Sequence, residues 1–567
     1  MAESKEILGL IEVFNSITKE VPLSKFSYTA LCCIYIYSYD KGIIYNKDEV
    51  LYQTAKSTCE SIPENKINKI MNELVTLNKE KIQDLVYYLL SGYYLEERYY
   101  GKSINEELAK LVYELLKIDG KGHIVYDMGS GNGYFLANVQ KRAHDKNIIL
   151  KGIVGEEINI EKAQISQMAL DILNNGEQRA KIKVGNALED FNYPYTKGFA
   201  FPPFGMKQLL SEKSRKSKLF PTIEFTNRNT SEWLFIDQML SGICGKWTAV
   251  ALVTGRTLFN DMDKDYRKLL IENGLLEGII ELPSGALSFS GIKTYLLIFS
   301  RNNKKVKLLD ATNVLEETTK RFNKVKLPAD KIIKLYKNKA IPSKTIDELK
   351  ESQNITPSIV LMDVKKVKNG VLLSDIAEVF AGNQYTLGVF EKNGMLSEEK
   401  TGYKILTSSD IEDGTINWKK LHSIKYEDNK FDKYAVKKND VIMTSKSSKI
   451  KIAVIDKEPD EKVIVTGGMI IMRPNTSRLD PTYLKIFLDS EQGQIVLKSI
   501  QKGITIVTIN AKDLSTISIP LVNIEQQHEK AKKYNEKLST LYVYKQEIRK
   551  IEDSLQNFFS LEYEGKD

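Results

Sequence analysis

Short apolar segments alternate with helical segments between residues 122 and 302, and this alternation constrains the fold more than any other feature of the 567-residue chain. The apolar segments have the length of strands, and the segments between them have the spacing of amphipathic helices. The pattern predicts a doubly wound α/β domain with a largely parallel sheet. Ligands of such sheets bind outside the carboxyl ends of the strands. The predicted strands have the sequences HIVYDMG, IVGEEI, IKVGN, GFAF, WTAVALVTG, LEGIIELP and YLLIFS.

The length of the chain predicts several domains. Residues 1–118 carry apolar side chains three and four positions apart, which predicts a helical domain before the α/β domain at 119–302. Residues 303–368 are rich in lysine and are expected to form a connector. Residues 369–522 are β-rich and interrupted by turns, so an α+β domain is expected there. Residues 523–562 predict one long helix.

The long helix carries apolar residues at alternating spacings of three and four, which is the heptad pattern of a coiled coil. Nothing earlier in the sequence needs this apolar row for its own core. The row is therefore expected to pack on another helix, in this chain or in a second copy. It consists of Leu541, Tyr544, Ile548, Ile551, Leu555 and Phe558.

Composition excludes several classes of protein. No apolar run approaches the roughly 18 residues of a membrane span, and no export signal is visible, so a cytoplasmic protein is expected. The four cysteines and four histidines lack metal-ligand spacing, so no metal site is expected. A net charge of +8 is compatible with a polyanionic partner. Most of the 82 basic and 74 acidic residues would nevertheless only solvate the surface.

A glycine-rich turn follows the first predicted strand and precedes a helical segment. Glycines at such a turn let a ligand approach the backbone, and the N-terminus of the helix offers free N–H groups. The turn therefore predicts a nucleotide-like ligand, although a purely structural turn has the same composition. The candidate ligand-binding residues are Asp127, Gly129, Ser130, Gly131 and Gly133.

Polar residues also end the next two predicted strands. Glu157 ends the second strand, where an acidic side chain can accept both ribose hydroxyls of a bound nucleoside. Asn186 follows the third strand and is placed to meet an adenine ring. A solvent-facing glutamate is the alternative for Glu157, but its position favours ligand binding.

The sequence FPPFG follows the fourth strand at residues 201–205. Together with the glycine-rich turn, the acidic strand end and the segment GNAL at 185–188, it occurs in the order typical of N6-adenine DNA methyltransferases. The segments EWLFIDQMLSGICGKWTAVALVTGRTLF and LLEGIIELPSGALSFSGIKTYLLIFSR resemble downstream strands of the same family. Residues 122–302 therefore resemble the modification subunit of type I restriction-modification systems.

This resemblance implies a Rossmann-like domain that binds S-adenosyl-L-methionine (AdoMet) at the glycine-rich turn and methylates a flipped adenine. In the family, an asparagine and the first proline carbonyl accept hydrogen bonds from the target amine, and the final aromatic ring stacks on the base. The corresponding catalytic positions are Phe201, Pro202, Pro203 and Phe204. Phe201 departs from the family, because phenylalanine has no acceptor and no nearby acidic residue obviously replaces it.

The C-terminal part resembles half of a type I specificity subunit, with one target-recognition domain and one spacer helix. The segments that carry this resemblance are LSDIAEVFAG, YKILTSSD, NDVIMTSK, TGGM and IPLVNIEQQ, within residues 373–527. Basic and hydroxyl-bearing loops of this kind contact phosphates and base edges. The candidate DNA contacts are Lys446, Ser447, Lys449 and Lys502, although each is by itself more typical of a solvated surface.

A complete specificity subunit has two recognition domains and two spacer helices. The resemblance therefore predicts a homodimer on double-stranded DNA, or pairing with another methyltransferase-specificity chain. No phosphate-binding loop of an ATP-driven motor and no nuclease signature is visible. Any restriction subunit would accordingly be a separate partner.

Two functions follow from these observations. The first is an active N6-adenine methyltransferase in which Phe201 is tolerated or replaced by another acceptor. The second is a catalytically lapsed relative that binds DNA as a recognition or regulatory protein. Phe201 distinguishes the two functions. Loss of one hydrogen bond to the target amine would raise the activation free energy of methyl transfer by roughly 2.7–4 kcal/mol, by analogy with an oxyanion-hole donor.

Overall fold

The computed structural model describes residues 26–556, except for 92–103, 121, 177–178, 190–192, 207–214, 288–290, 315–326, 363–369, 426–428, 447–449 and 502–507. The chain divides into two compact units, Met1–Leu361 and Met362–Asp567. In the described part of the chain, no helix has the length and apolar character of a membrane span. Among the same residues, no group of three His, Cys, Asp or Glu side chains could hold a metal ion.

The first unit is built on the strands β1 (Ile124–Met128), β2 (Gly152–Glu157), β3 (Ala180–Val184), β4 (Tyr195–Ala200), β5 (Arg215–Lys216), β6 (Glu224–Phe225), β7 (Ile243–Thr254), β8 (Leu276–Glu281), β9 (Thr294–Phe299), β10 (Lys305–Asp310) and β11 (Ser343–Thr345). Nine of them form one sheet in the order β11-β10-β8-β9-β7-β4-β1-β2-β3. The seven predicted strands are all present. The sheet is largely parallel, as predicted, and β9 lies antiparallel between β7 and β8.

Helices flank this sheet and precede it. The described part of the N-terminal segment consists of helices joined by short loops, as predicted. The helices of the unit are Phe26–Asp40, Glu49–Glu60, Glu64–Val75, Lys79–Ser91, Glu106–Leu115, Tyr134–Asp145, Ile160–Leu173, Ser231–Gly242, Arg256–Phe259, Lys264–Glu272, Ala329–Lys337, Ile346–Leu349 and Pro357–Val360.

Alternate side chains of the central strands enter two separate apolar cores, because successive residues of a strand point to opposite faces. In β1, Val125 belongs to the core that contains the helices Tyr134–Asp145 and Ile160–Leu173. Tyr126 belongs to the core that contains the helix Ser231–Gly242. Burial on both faces explains why these strands are continuous apolar runs in the sequence.

The segment 303–368 was expected to be a connector, and this expectation is wrong for residues 305–310 and 343–345. β10 pairs in parallel with β8, and β11 pairs antiparallel with β10, so both belong to the nine-stranded sheet. Lysines obscured the strand because Lys305 and Lys307 alternate with the buried Val306 and Leu308. That alternation is the period-two pattern of a strand.

The second unit is β-rich, as predicted. Its strands are β12 (Gly370–Leu372), β13 (Ala377–Ala381), β14 (Leu396–Ser397), β15 (Tyr403–Leu406), β16 (Ile411–Glu412), β17 (Thr415–Ile416), β18 (His422–Ile424), β19 (Val441–Thr444), β20 (Ile452–Val454), β21 (Lys462–Val465), β22 (Met469–Pro474) and β23 (Ser518–Pro520). Two four-stranded sheets dominate it, β13-β22-β19-β20 and β14-β18-β15-β21. Its helices are Leu387–Lys392, Pro481–Asp489, Glu491–Ser499, Ala511–Ser515 and Ile524–Gln556.

The predicted long helix is Ile524–Gln556. Its first turns are fixed to the rest of the second unit. The buried Gln527 side chain accepts a hydrogen bond from the Asp480 N–H at 2.9 Å, and the Lys485 ammonium donates to the Tyr534 hydroxyl at 3.1 Å. The helix therefore packs on its own unit near its N-terminus.

The predicted apolar row of this helix is exposed. Its described members are 49–65% accessible to solvent, so no described residue of this chain covers them. Phe558 lies outside the described residues. The exposed members are Leu541, Tyr544, Ile548, Ile551 and Leu555.

Candidate functional site

The carboxyl ends of β1, β2 and β4 form one edge of the nine-stranded sheet. Met128 pairs in parallel register with Glu156 on one side and with Ala200 on the other. The glycine-rich turn, Glu157 and Phe201 therefore follow three neighbouring strands at the same level. The structure thus brings together three of the features predicted from the sequence.

The glycine-rich turn needs its glycines. Gly129, Gly131 and Gly133 have φ values of +85°, +57° and +82°, which lie in the left-handed region that other residues rarely adopt. A side chain on Gly133 would collide with the Ser166 hydroxyl at 2.3 Å, whereas Gly129 and Gly131 face open space. The turn is therefore open on one side, where a ligand can approach the backbone.

Three backbone donors of this turn, those of Gly129, Ser130 and Gly131, are already hydrogen-bonded. The Gly129 and Ser130 N–H groups donate to the Glu156 carbonyl at 3.0 and 2.8 Å. The Gly131 N–H donates to a carboxylate oxygen of Glu157 at 2.9 Å. A negative charge thus already lies where a phosphate would bind at the start of a helix. The site favours a nucleoside without a phosphate.

Asp127 adds a second carboxylate beneath the turn. Its side chain is 3% exposed, and burial together with the Glu157 carboxylate raises its pKa well above the ordinary value. The buried Ser130 hydroxyl has no hydrogen-bond partner among the described residues. A cationic ligand group would stabilise the ionised form of Asp127.

Glu156 is a positioning residue that the sequence did not single out. Its carboxylate is 1% exposed, accepts a hydrogen bond from the Tyr126 hydroxyl at 3.0 Å and pairs with Lys183 at 3.1 Å. Its carbonyl holds the glycine-rich turn. The period of two along β2 was the available signal, because Val154 on the same face is a core residue.

Asn186 lies beside Glu157 at the next strand end. The Gly185 N–H donates to the Glu157 carbonyl at 3.0 Å, which places Asn186 one residue further on. Its side-chain oxygen accepts from the Leu188 N–H at 3.1 Å, and the residue is exposed. Asn186 can therefore meet a ligand held by Glu157.

The segment 201–204 follows β4. The rings of Phe201 and Phe204 meet edge to face, with centroids 5.3 Å apart. Both are half-buried and pack against the same apolar core, while Pro202 is buried and Pro203 is exposed. The side chain of Phe201 thus offers an apolar surface where the family has a carboxamide.

Glu232 is a buried carboxylate at this edge that sequence reasoning missed. It accepts a hydrogen bond from the Thr254 hydroxyl at 2.8 Å and from the Ser231 hydroxyl at 3.3 Å. Thr254 ends β7, which pairs in parallel with β4. Both carboxylate oxygens therefore already accept hydrogen bonds from neighbouring hydroxyls.

Two arginines stand near the end of β7 on a rigid support. The buried Asp263 carboxylate accepts from the Asn229 and Asn260 side chains, each at 2.8 Å, and Arg256 donates to the Arg228 carbonyl at 3.4 Å. Arg228 and Arg256 are exposed and form no ion pair with any described residue. They add positive charge beside the edge.

The predicted DNA contacts of the second unit are described only in part. Lys446 is exposed directly after β19, and its backbone forms a bridge with Thr508. Ser447, Lys449 and Lys502 lie outside the described residues.

Comparison with known families assigns both parts of the chain. A family model described as N-6 DNA Methylase matches residues 88–376. A second model, described as type I restriction modification DNA specificity domain, matches residues 369–553. The two matches follow the order of the resemblances found in the sequence.

Individual proteins give more limited similarities. The type I restriction enzyme EcoBI specificity subunit of Escherichia coli is 28% identical over 152 residues, which are 27% of this chain and 31% of that protein. The type I restriction enzyme MjaVIII methylase subunit of Methanocaldococcus jannaschii is 23% identical over 254 residues, 41% of this chain and 43% of that protein. The chain thus spans less than half the length of these relatives.

Among solved structures, the type I restriction-modification system methyltransferase subunit of Streptococcus thermophilus has a similar fold. The match has a TM-score of 0.51 at 15% identity and covers 62% of this chain and 97% of that one. This likeness agrees with the predicted fold class of the first unit.

Proposed function

Since this chain belongs to the N-6 DNA methylase family, with residues 88–376 matched, we propose that it is a sequence-specific DNA-adenine methyltransferase of a restriction-modification system. The observation that carries the proposal is the meeting of the glycine-rich turn, Glu157 and the segment 201–204 at one sheet edge. The match of residues 369–553 to a DNA specificity domain supports sequence-specific binding. A DNA substrate also agrees with the cytoplasmic location expected from the sequence.

The residues at this edge fit AdoMet, which carries a cationic sulfonium and no phosphate. Glu157 would hold the ribose hydroxyls and Asn186 would meet the adenine ring, while Asp127 favours positive charge nearby. Open space at Gly129 and Gly131 lets the nucleoside lie against the backbone. When bound, AdoMet supplies an activated methyl group.

The segment 201–204 would receive the flipped adenine. Phe204 would stack on the base, and the Pro202 carbonyl would accept a hydrogen bond from the N6 amine. Phe201 supplies no second acceptor, so the lone pair of the amine is less well directed. We therefore expect slow methyl transfer.

The second candidate is a lapsed methyltransferase that acts by binding DNA, and Phe201 is the observation that favours it. Its half-buried ring belongs to the apolar packing of the edge. The two candidates share cofactor and DNA binding, and they differ only in transfer.

Methyl transfer from labelled AdoMet to unmethylated genomic DNA tests the proposal, with Glu157→Ala as the binding-defective control. Label in N6-methyladenine that requires Glu157 supports the methyltransferase. Binding of both AdoMet and DNA without transfer supports the lapsed relative, and binding of neither refutes both. If the wild type is fast, Glu232→Met, which removes both acceptor oxygens, tests whether that carboxylate supplies the missing acceptor.

We also propose that the second unit reads DNA as part of a homodimer, with the exposed helical row of one copy packed on that of another. The heptad spacing and the exposure of five described members carry this proposal. Pairing with a different methyltransferase-specificity chain is the alternative, which mass measurement of the purified protein would reveal. Cleavage of DNA would require a separate restriction subunit.

A further inference from the structure

Several loops of the second unit meet at one end of the sheet β13-β22-β19-β20. Ala381, the last residue of β13, pairs with Ile470 near the start of β22, and Thr444, the last residue of β19, pairs with Met469. The loops that follow or precede these strand ends therefore lie side by side. We name residues 382–386, 445–446 and 466–468 the recognition edge.

The backbones of the recognition edge pack closely against one another. A side chain on Gly382 would lie 2.6 Å from the Thr466 carbonyl oxygen, and one on Gly467 would lie 2.7 Å from the Asn383 carbonyl oxygen. The Asn383 N–H donates to the Val465 carbonyl at 2.8 Å. The edge is thus rigid, and rigid supports position binding groups accurately.

Tyr385 stands on this rigid support as an exposed aromatic residue. Its ring is 42% accessible, and it meets the rings of Phe390 and Phe431 nearly at right angles, with centroids 5.7 Å away in each case. The two buried rings fix its orientation from below. An aromatic ring held in this way presents a flat apolar surface without losing further conformational freedom on binding.

Lys446 and Tyr385 both lie beside the glycines of residues 466–468. The Gly467 N–H donates to the Tyr385 carbonyl at 3.1 Å, and the stem of Lys446 passes 3.9 Å from the position that a Cβ atom on Gly468 would occupy. Lys446 has no ion-pair partner in the part of the chain that the structure describes. By contrast, the Lys451 ammonium donates to the carbonyls of Ser408 and Ile411 at 2.9 Å each. Its hydrogen bonds therefore stabilise the second unit itself.

Gln384 completes the edge. Its side chain is exposed and makes no hydrogen bond to a described residue, although it stands between the buried Asn383 and the fixed Tyr385. A carboxamide can bind the N6 and N7 edge of adenine through two hydrogen bonds in the major groove. A neighbouring lysine can neutralise a phosphate on the same strand.

We propose that Gln384 is a specificity-determining residue that reads a base edge, with Lys446 on a nearby phosphate and Tyr385 against the DNA surface between them. This inference rests on the proposed function and extends it from a domain to named side chains. It concerns residues that the sequence did not single out, except for Lys446.

The test is selection of binding sites by the full-length protein from a pool of random double-stranded DNA. Gln384→Ala is compared with Gln526→Ala, an exposed glutamine of the long helix. We expect Gln384→Ala to reduce discrimination at one base-pair position by about 5- to 100-fold, with other positions, thermal stability and AdoMet affinity unchanged. The Gln526→Ala control should keep the wild-type preference.

The salt dependence of DNA binding tests the role of Lys446. Lys446→Ala should weaken binding to all sequences alike and reduce the slope of log K against log salt by about 0.9 for each phosphate that is no longer neutralised. Lys438→Ala, before the opposite end of β19, is the matched control and should leave the slope unchanged. An unchanged slope for Lys446→Ala overturns the assignment of Lys446.

The outcomes separate the inference from the proposed function. A wild-type preference that survives Gln384→Ala at every position overturns the inference and leaves the methyltransferase proposal intact. A wild type with no sequence preference overturns both. A stably folded Gln384→Ala that binds all DNA sequences more weakly, but keeps the wild-type preference, also overturns a base-reading role.

Discussion

The sheet edges of the two units differ in the charged side chains that they place around a candidate site. The edge of the first unit places Asp127 and Glu157 around a glycine-rich turn whose donors are already bonded. The recognition edge of the second unit presents Gln384 and Lys446 without a carboxylate partner among the described residues. The first edge suits a cation that approaches the backbone closely, and the second suits a polyanion read by donors and acceptors.

The two units also differ in how completely they cover their apolar surface. The sheet of the first unit is buried on both faces by its own helices. The long helix of the second unit leaves Ile548 and Ile551 more than half exposed. We propose on this basis that the cofactor site is complete within one chain, whereas DNA recognition requires a second chain.

The largest effect is expected for Ile548→Asp combined with Ile551→Asp. Each buried isoleucine contributes about 1.5–3 kcal/mol, and a dimer would lose two from each copy, so dimer dissociation should rise at least about 1000-fold. Light scattering measures the mass, and DNA affinity should fall with it. AdoMet affinity should not change.

Lys550→Asp is the control for this double variant, because it places an aspartate in the same turn outside the apolar row. It should leave the mass unchanged. Unchanged mass and unchanged DNA affinity in the double variant would show that the row has no partner of its own kind.

Phe201→Asn should raise methyl transfer by about 100- to 1000-fold, because the new carboxamide supplies the second acceptor for the target amine. Sequencing of DNA from cells that express each form measures N6-methyladenine. Phe201→Leu removes the ring without adding an acceptor and should show no gain. Robust wild-type transfer that Phe201→Asn does not improve would assign the acceptor to another residue.

Glu157→Gln should weaken AdoMet binding by about 10- to 100-fold, because two charge-assisted hydrogen bonds to the ribose become neutral ones. Calorimetry measures the affinity. Glu272→Gln is the control, since this exposed carboxylate precedes β8 at the opposite edge. DNA specificity should be the same in all three proteins, and a change in Glu157→Gln would contradict the separation of the two edges.

Asp127→Asn should stabilise the ligand-free protein slightly while it weakens AdoMet binding. The pKa of Asp127 is raised, so its charge destabilises the folded state above that pKa, and the destabilisation disappears as the pH falls through it. The gain should raise the unfolding midpoint of the ligand-free protein at neutral pH. The gain should vanish in acid, and a gain that persists there would exclude the charge as its cause.

The sheet was predictable because burial on both faces leaves a continuous apolar run for each strand. All seven predicted strands are present, although the edge strand β3 is largely exposed. β10 escaped prediction because one face of it carries Lys305 and Lys307, and its composition then resembles that of a surface linker. The lysine content therefore suggested a linker, whereas the alternation of lysines with apolar residues would have predicted a strand.

The candidate site was predictable only at positions where the structure strongly favours a single residue type. Gly129, Gly131 and Gly133 indicated the turn because other residues rarely adopt their backbone conformation. Glu156 and Glu232 could not be found in this way, because their value depends on burial and on partners distant in sequence, such as Lys183 and Thr254. The same holds for Gln384, whose neighbours at 466–468 are about 80 residues away in the chain.

The pairing of β10 with β8 has a consequence for how such a protein acquires a new DNA target. Recombination between related genes is best tolerated where few contacts of the encoded protein cross the junction. A crossover near residue 302 would part β10 from β8 and uncover a sheet edge that invites aggregation, although composition suggests a linker there. A crossover just after Leu361 leaves the nine strands together. We expect lineages to inherit residues up to 361 as one block and to replace the remainder whole.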